Sequence, residues 1–282
     1  MTAGFGARLR AAFTDHGRLC VGIDPHRYLL ERWGLPDDDA GLREFGLRVV
    51  DATHGAAGIV KPQVAFFERH GSAGMAALER VQKEARAAGL IVIADAKRGD
   101  VGTSVEAYGQ AWLTPGRPLE ADCMTISAYQ GVGSIEAPIR LALSSGKGLF
   151  VLAATSNPEA AAVQRAVMTT GKWAGRSVAA GIVDEVMTWN PDAGTLGSIG
   201  VVLGATVELD EYGISTDALA GTPILAPGFG HQGAAIAELA RIYGAAASGA
   251  VVSASRSILS AGPDRIRDTI RSHVDDIEKA YS

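Results

Sequence analysis

An α/β fold, built as a (β/α)8 TIM barrel, is what this sequence predicts, on three grounds. Eight short apolar runs alternate with alanine-rich amphipathic stretches, and parallel strands need such crossovers between them. The 282-residue length accommodates a barrel of the usual size, about 250 residues. Polar residues with chemical reach, Asp24, Lys61, Asp95, Ser156 and Arg256, end several different runs. A barrel brings all those ends to one mouth, whereas the edge strands of an open doubly wound sheet share no site.

The predicted strands fall at residues 19–23, 58–60, 90–94, 123–126, 149–153, 199–203, 224–226 and 250–253. They are too short for helices and several are rich in Val and Ile, as strands buried on both faces are. Between them, residues 72–88 place Met75, Leu78, Val81 and Ala85 on one helical face, while Glu79, Arg80, Lys83 and Arg86 point elsewhere. Gly89 ends that helix. Stretches 42–53, 177–189 and 233–243 read the same way. The long connection 157–198 predicts two helical pieces broken at 169–175 and placed to cover the mouth. With no linker, repeat or low-complexity tract, residues 1–282 read as a single domain.

The charge balance, 26 basic against 31 acidic residues for a net of -5, comes with no basic stripe. That argues against nucleic acid and anionic membrane as partners and leaves room for a small anionic ligand. No run reaches the roughly 20 apolar residues of a bilayer span, and residues 1–10 lack a signal-peptide core, so the expected location is cytoplasmic. Cys20 and Cys123 sit in strand-like runs and read as buried reduced thiols. The histidines at 16, 26, 54, 70, 231 and 273 show no metal-ligand spacing, so no metal site is expected.

The densest chemistry is Asp95-Ala96-Lys97-Arg98-Gly99-Asp100, at the end of the third run. Charges are costly to desolvate unless paired. Asp95 and Lys97, two apart on an extended strand end, point the same way. The cluster is either an ion-pair network sealing the rim or an active array. In the second case Lys97, held charged by two acids, offers a proton or positive charge to a developing carbanion. Lys61 precedes Pro62, where strand pairing is expected to end; alone it reads as a solvated lysine. Asp24 precedes Pro25 and has a cap or an Asx turn as its ordinary role. Thr155-Ser156-Asn157-Pro158 is a helix start whose hydroxyl also reaches a ligand at the mouth.

After the seventh run, Pro227-Gly228-Phe229-Gly230-His231-Gln232-Gly233 matches G-x-G-x-x-G, yet no acidic residue closes the following strand, as a dinucleotide site requires. That strand ends instead in Ser253-Ala254-Ser255-Arg256. Glycine backbone around Gly230, the Gln232 amide and the Arg256 guanidinium make a phosphate cup, in the loops where barrels often bind phosphate. The ordinary alternative for Arg256 is a surface ion pair, and for His231 a solvated loop histidine.

Together and in this order, Lys61, the Asp-x-Lys-x-x-Asp of Asp95, Lys97 and Asp100, the Thr-Ser-Asn-Pro at 155–158, the Pro-Gly-x-Gly-x-Gln-Gly at 227–233 and the Ser-Arg at 255–256 resemble the orotidine 5'-monophosphate decarboxylase family. The likeness runs from Val21 to Arg256. The length and the stretch Lys97-Arg98-Gly99-Asp100-Val101-Gly102-Thr103 resemble its longer bacterial, mycobacterial-type branch. The resemblance implies decarboxylation of orotidine 5'-monophosphate to UMP, the last step of de novo pyrimidine synthesis, by a homodimer without metal or organic cofactor. It implies that Asp24 and Lys61 bind the ribose hydroxyls and Asp95 lies beside the substrate carboxylate. Lys97 would stabilise and protonate the C6 carbanion, and Asp100 would come from the neighbouring subunit. Ser156 would contact the pyrimidine, with Gln232 and Arg256 gripping the phosphate.

Many members carry proline and then threonine after that last aspartate. Here Asp100-Val101-Gly102-Thr103-Ser104 stands instead, so Thr103 or Ser104 is the hydroxyl expected to reach across the dimer. Related sugar-phosphate decarboxylases and hexulose-phosphate synthases share Asp-x-Lys-x-x-Asp but use Mg²⁺; Lys61, Ser156 and Gln232 favour the nucleotide branch. A nucleotide-binding protein without activity is a third alternative, which the intact Asp95, Lys97 and Asp100 oppose.

Overall fold

The computed structural model describes residues 3–190, 195–230 and 233–281. Eight parallel strands close into one barrel in sequence order: β1 Leu19–Ile23, β2 Ile59–Pro62, β3 Ile91–Arg98, β4 Cys123–Ser127, β5 Gly148–Ala154, β6 Ile199–Leu203, β7 Ile224–Pro227 and β8 Ala250–Ala254. Cys20 of β1 faces Ile59 on one side and Ser253 on the other, so the first and last strands seal the cylinder. The expected (β/α)8 architecture therefore forms.

Three local expectations need correcting. β3 does not stop at 94 but runs on to Arg98. Its register against β4 slips, from Ala94 opposite Met124 to Arg98 opposite Ile126, so residues 95–97 face Thr125 alone. This is a bulge, a device that re-aims side chains at barrel rims. Pairing also continues past Lys61: Pro62 lies opposite Ile23, and the Gln63 N–H donates to the Ile23 carbonyl at 3.1 Å. Pro62 forfeits one bond and its neighbour supplies the next. The helix expected from 233 begins only at 236, as Ile236–Glu238 followed by Leu239–Tyr243. The reason is the loop before it. Gly228, Gly230 and Gly233 take φ of 115°, 75° and 112°, conformations that favour glycine, and turn the chain back so that the Gly230 N–H donates to the Ala234 carbonyl.

The excursion after β5 does contain separate helical pieces, Pro158–Ala160 with Ala161–Gln164 and then Val178–Met187, divided by a Val167–Ser177 bridge. Its residues 191–194 lie outside the described residues.

Strand parity sorts the core into two layers. Leu19, Val21, Ile23, Val60, Val92, Ala94, Val151, Val201 and Val252 pack outward under the helices. Cys20, Ile59, Ile91, Ile93, Cys123, Phe150, Val202, Leu225 and Val251 fill the barrel with Phe5, Leu9 and Phe13 from the helix Phe5–His16. That helix closes the end of the barrel where the strands begin. Phe5 meets Phe150 edge to face, with ring centroids 6.1 Å apart. A Cβ at Gly148 would lie 2.3 Å from the Phe5 ring, so only glycine lets the plug seat. Arg8 fixes it further through Asp122 at 2.6 Å, whose other oxygen accepts the Val92 N–H at 2.9 Å.

Candidate active site

Continuing each inward column toward the strand ends leads from hydrocarbon to charge. Cys20 and Gly22 lead to Asp24, Ile59 leads to Lys61 and Gln63, and Ile91 and Ile93 lead to Asp95. Cys123 leads to Thr125, Phe150 to Leu152, and Val251 to Ser253 and Ser255. These column tops line a cavity of about 570 Å³ together with His26, Lys97, Ser156, Val202, Leu225, Phe229 and Arg256, a size suited to a small ligand. The polar groups follow one another round the rim from β8 through β1 and β2 to β3. The opposite wall is apolar, built by Leu152, Val202 and Leu225. Three cations, Lys61, Lys97 and Arg256, face two carboxylates, Asp24 and Asp95, in a chain whose overall charge is negative.

Asp95 is the hub. Its Oδ2 accepts from Lys61 Nζ at 2.8 Å and Gln63 Nε2 at 3.0 Å. Its Oδ1 accepts from Lys97 Nζ at 2.5 Å and Thr125 Oγ1 at 2.9 Å. Asp95 and Lys61 are both buried. Burial opposes charge on each, yet Lys61 and then Lys97 hold the Asp95 carboxyl well below the usual carboxylate range, while Asp95 and then Asp24 push Lys61 above the usual lysine range. Beneath them, burial pushes the Cys20 thiol up to about 12, so a neutral thiol underlies the ion cluster. Both cysteines are free and buried, as expected. Lys97 keeps a half-exposed side chain and is the one non-glycine residue with positive φ, 46°, among the described residues.

Asp24 has no cap to make. Its Oδ1 is buried without a hydrogen-bond partner among the described residues, as is Ser255 Oγ. Orphaned buried polar atoms are costly, and both residues line the cavity, open to a ligand's donor groups. Arg256 has no side-chain ion pair among the described residues, so the surface-pair alternative does not apply.

The structure does not bring every predicted residue together. Asp100, Thr103 and Ser104 are not among the residues lining this chain's cavity. Asp100 instead accepts the Val101 N–H at 2.8 Å, so within one chain Lys97 touches one acid rather than two. Gly230 also lies off the lining. His231 and Gln232 are outside the described residues. Gln63, Thr125 and His26 line the cavity without having been singled out in the sequence. Parity was the available signal for the first two, since each stands two residues beyond an inward-facing position. Among the described residues no group of three or more His, Cys, Asp or Glu is placed to hold a metal.

Comparison with known proteins agrees with this geometry. The model of the Orotidine 5'-phosphate decarboxylase / HUMPS family matches residues 17–267. An orotidine 5'-phosphate decarboxylase of Salinispora arenicola is 50% identical over 260 residues, 92% of this chain and 91% of that one. A crystal structure from Streptomyces avermitilis, provisionally assigned to the same activity, superposes with a TM-score of 0.92 at 46% identity, covering 99% of this chain and 96% of the other. The Leishmania donovani OMP decarboxylase superposes with a TM-score of 0.76 at 27% identity, covering 99% and 100%.

Proposed function

The chain belongs to the orotidine 5'-phosphate decarboxylase / HUMPS family, and from that premise we infer that it is a carboxy-lyase converting orotidine 5'-monophosphate to UMP in pyrimidine biosynthesis. The 2.5 Å contact between Lys97 and Asp95 inside the cavity carries the mechanism. The bond from C6 to the carboxylate breaks, CO2 departs, and the electron pair stays on C6 with no ring carbonyl adjacent to delocalise it. A preorganised cation at that point stabilises the developing charge. Lys97 then gives a proton to C6 and is recharged from solvent. Asp95, anionic and facing the departing carboxylate, favours its loss; we rank this effect below carbanion stabilisation. Leu152, Val202 and Leu225 suit a neutral CO2 better than a carboxylate. No step uses a metal or organic cofactor.

Asp24 and Lys61 hold the ribose hydroxyls, Ser156 the pyrimidine, and Arg256 with the backbone at Gly228 the phosphate; for Gln232, outside the described residues, a phosphate role rests on the family resemblance. The phosphate is remote from the reacting carbon, so its binding energy acts by holding loops and substrate in place. Arg256→Ala is therefore expected to lower kcat/KM by about 10²-fold or more, in line with loss of a charge-assisted phosphate contact. Its activity on orotidine, which lacks the phosphate, should match that of the parent. An equal loss on both substrates would refute the assignment.

We also propose a homodimer in which Asp100 and a hydroxyl of Thr103 or Ser104 enter the partner's cavity. Asp100 lies off its own cavity, and exposed apolar side chains stand in the segments after β3 and β4: Val101, Tyr108 and Tyr129, the last 82% exposed. Exposed apolar clusters mark association surfaces. Mixing inactive Lys97→Ala with inactive Asp100→Ala tests this. Half of a random mixture is heterodimer with one intact site per dimer, so activity should return to about a quarter of the parent's. No recovery after subunit exchange would place Asp100 outside the shared site.

A further inference from the structure

Thr125 holds a position that the mechanism above does not use. It is 1% exposed on β4 and is the single residue facing the three-residue bulge of β3. The slipped register leaves the Lys97 N–H without a ladder acceptor, and Thr125 Oγ1 takes that bond at 3.0 Å. An N–H only donates, so a hydroxyl lone pair is committed there, and the hydroxyl proton is free for Asp95 Oδ1 at 2.9 Å. One hydroxyl thus ties the backbone of the residue carrying the ammonium to the carboxylate that the ammonium touches. Lys97 sits in the left-handed region, which a side chain adopts only when its surroundings enforce it.

We propose that Thr125 is a positioning residue for the decarboxylase. Its hydroxyl enforces the left-handed turn at Lys97 and sets the ammonium against Asp95 and the reacting carbon. The proposal rests on the decarboxylase assignment above. The β-branched side chain adds stiffness, since χ1 of threonine is restricted, and two hydrogen bonds then select one hydroxyl orientation. With the bridge broken, the Lys97 backbone has no fixed acceptor and Asp95 loses one of its four donors.

The test compares Thr125→Val, which keeps the shape and removes the hydroxyl, with Thr125→Ser, which keeps the hydroxyl. Misplacing a catalytic group by an ångström costs about 10²-fold, so Thr125→Val should lower kcat by about that factor. UMP affinity, measured by calorimetry, should stay within about threefold, because the phosphate and ribose contacts lie elsewhere. Thr125→Ser should recover most of the lost kcat. Should Thr125→Val fail to fold, Thr125→Ala replaces it and the Ser-to-Ala ratio of kcat is read, with at least about tenfold expected. Thr125→Val with kcat within twofold of the parent, or Thr125→Ser as impaired as Thr125→Val, overturns the proposal. A fall in UMP affinity matching the fall in kcat overturns it as well, by showing a general loss of the pocket. A parent protein that does not consume orotidine 5'-monophosphate overturns the assignment beneath it and the proposal together, an outcome distinct from an active parent with an unaffected Thr125→Val.

Discussion

Replacing Lys97 with alanine is expected to remove at least about 10⁴-fold of kcat for orotidine 5'-monophosphate, because in the proposed mechanism that residue supplies both a preorganised charge and the proton. The fold should survive. The side chain is half exposed and, among the described residues, its one ion pair is with Asp95, which retains Lys61, Gln63 and Thr125 as donors. A melting temperature within a few degrees of the parent's, with orotidylate absorbance unchanged over hours, is the predicted outcome. Lys97→Arg separates the two contributions. A guanidinium keeps the charge but cannot yield its proton at ordinary pH, so it should restore little turnover. Near-normal kcat in Lys97→Ala would remove Lys97 from the mechanism altogether.

The second large effect is on stability. Asp95→Ala leaves Lys61 buried without its counterion, and an uncompensated buried charge costs about 3–5 kcal/mol. Activity should vanish along with that stability. The double variant Asp95→Asn with Lys61→Met removes both charges and should recover most of the stability but none of the activity. If the double variant were as unstable as Asp95→Ala, unpaired charge would not be the cause.

The pH dependence follows from the two shifts. The Asp95 carboxyl is depressed, so its contribution is present above the unfolded value and lost as pH falls toward the folded one. The Lys61 ammonium is raised, so its contribution is present below the unfolded value and lost as pH rises through the folded one. Unfolded values near pH 4 and pH 10 bound the window. Relative to the double variant, the parent's stability should stay constant from about pH 5 to pH 9 and fall below about pH 4. Thermal melts across that range check it.

Much of the site was legible in the sequence because parallel strands repeat every two residues. The runs holding Ile91 and Ile93, or Ile59, point at Asp95 and Lys61 by counting alone. What the sequence could not give is contact between columns. Thr125 and Gln63 look like ordinary strand residues until the barrel closes and sets them against Asp95. The bulge that extends β3 to Arg98 depends on how β4 pairs, and nothing local in Asp95-Ala96-Lys97 announces a left-handed lysine. The glycines after β7 misled for the opposite reason: they signal a turn, but the bonds that delay the helix, from the Gly230 N–H to the Ala234 carbonyl and from the Ala234 N–H to the Gly228 carbonyl, join residues several positions apart. Asp100 was legible as part of the charged cluster from its spacing, but within its own chain it accepts the Val101 N–H and stands off the cavity, which no local pattern announces.

The hydrophobic stopper formed by Phe5, Leu9 and Phe13 has a further meaning for turnover. Among the described residues, buried hydrocarbon fills that end of the cylinder, beneath the polar cavity at the strand ends. We propose that nucleotide, water and gas pass through the mouth of that cavity. Under the proposed mechanism the departing CO2 leaves past the same strand ends that admit the nucleotide, so the time it spends beside C6 is set at that mouth.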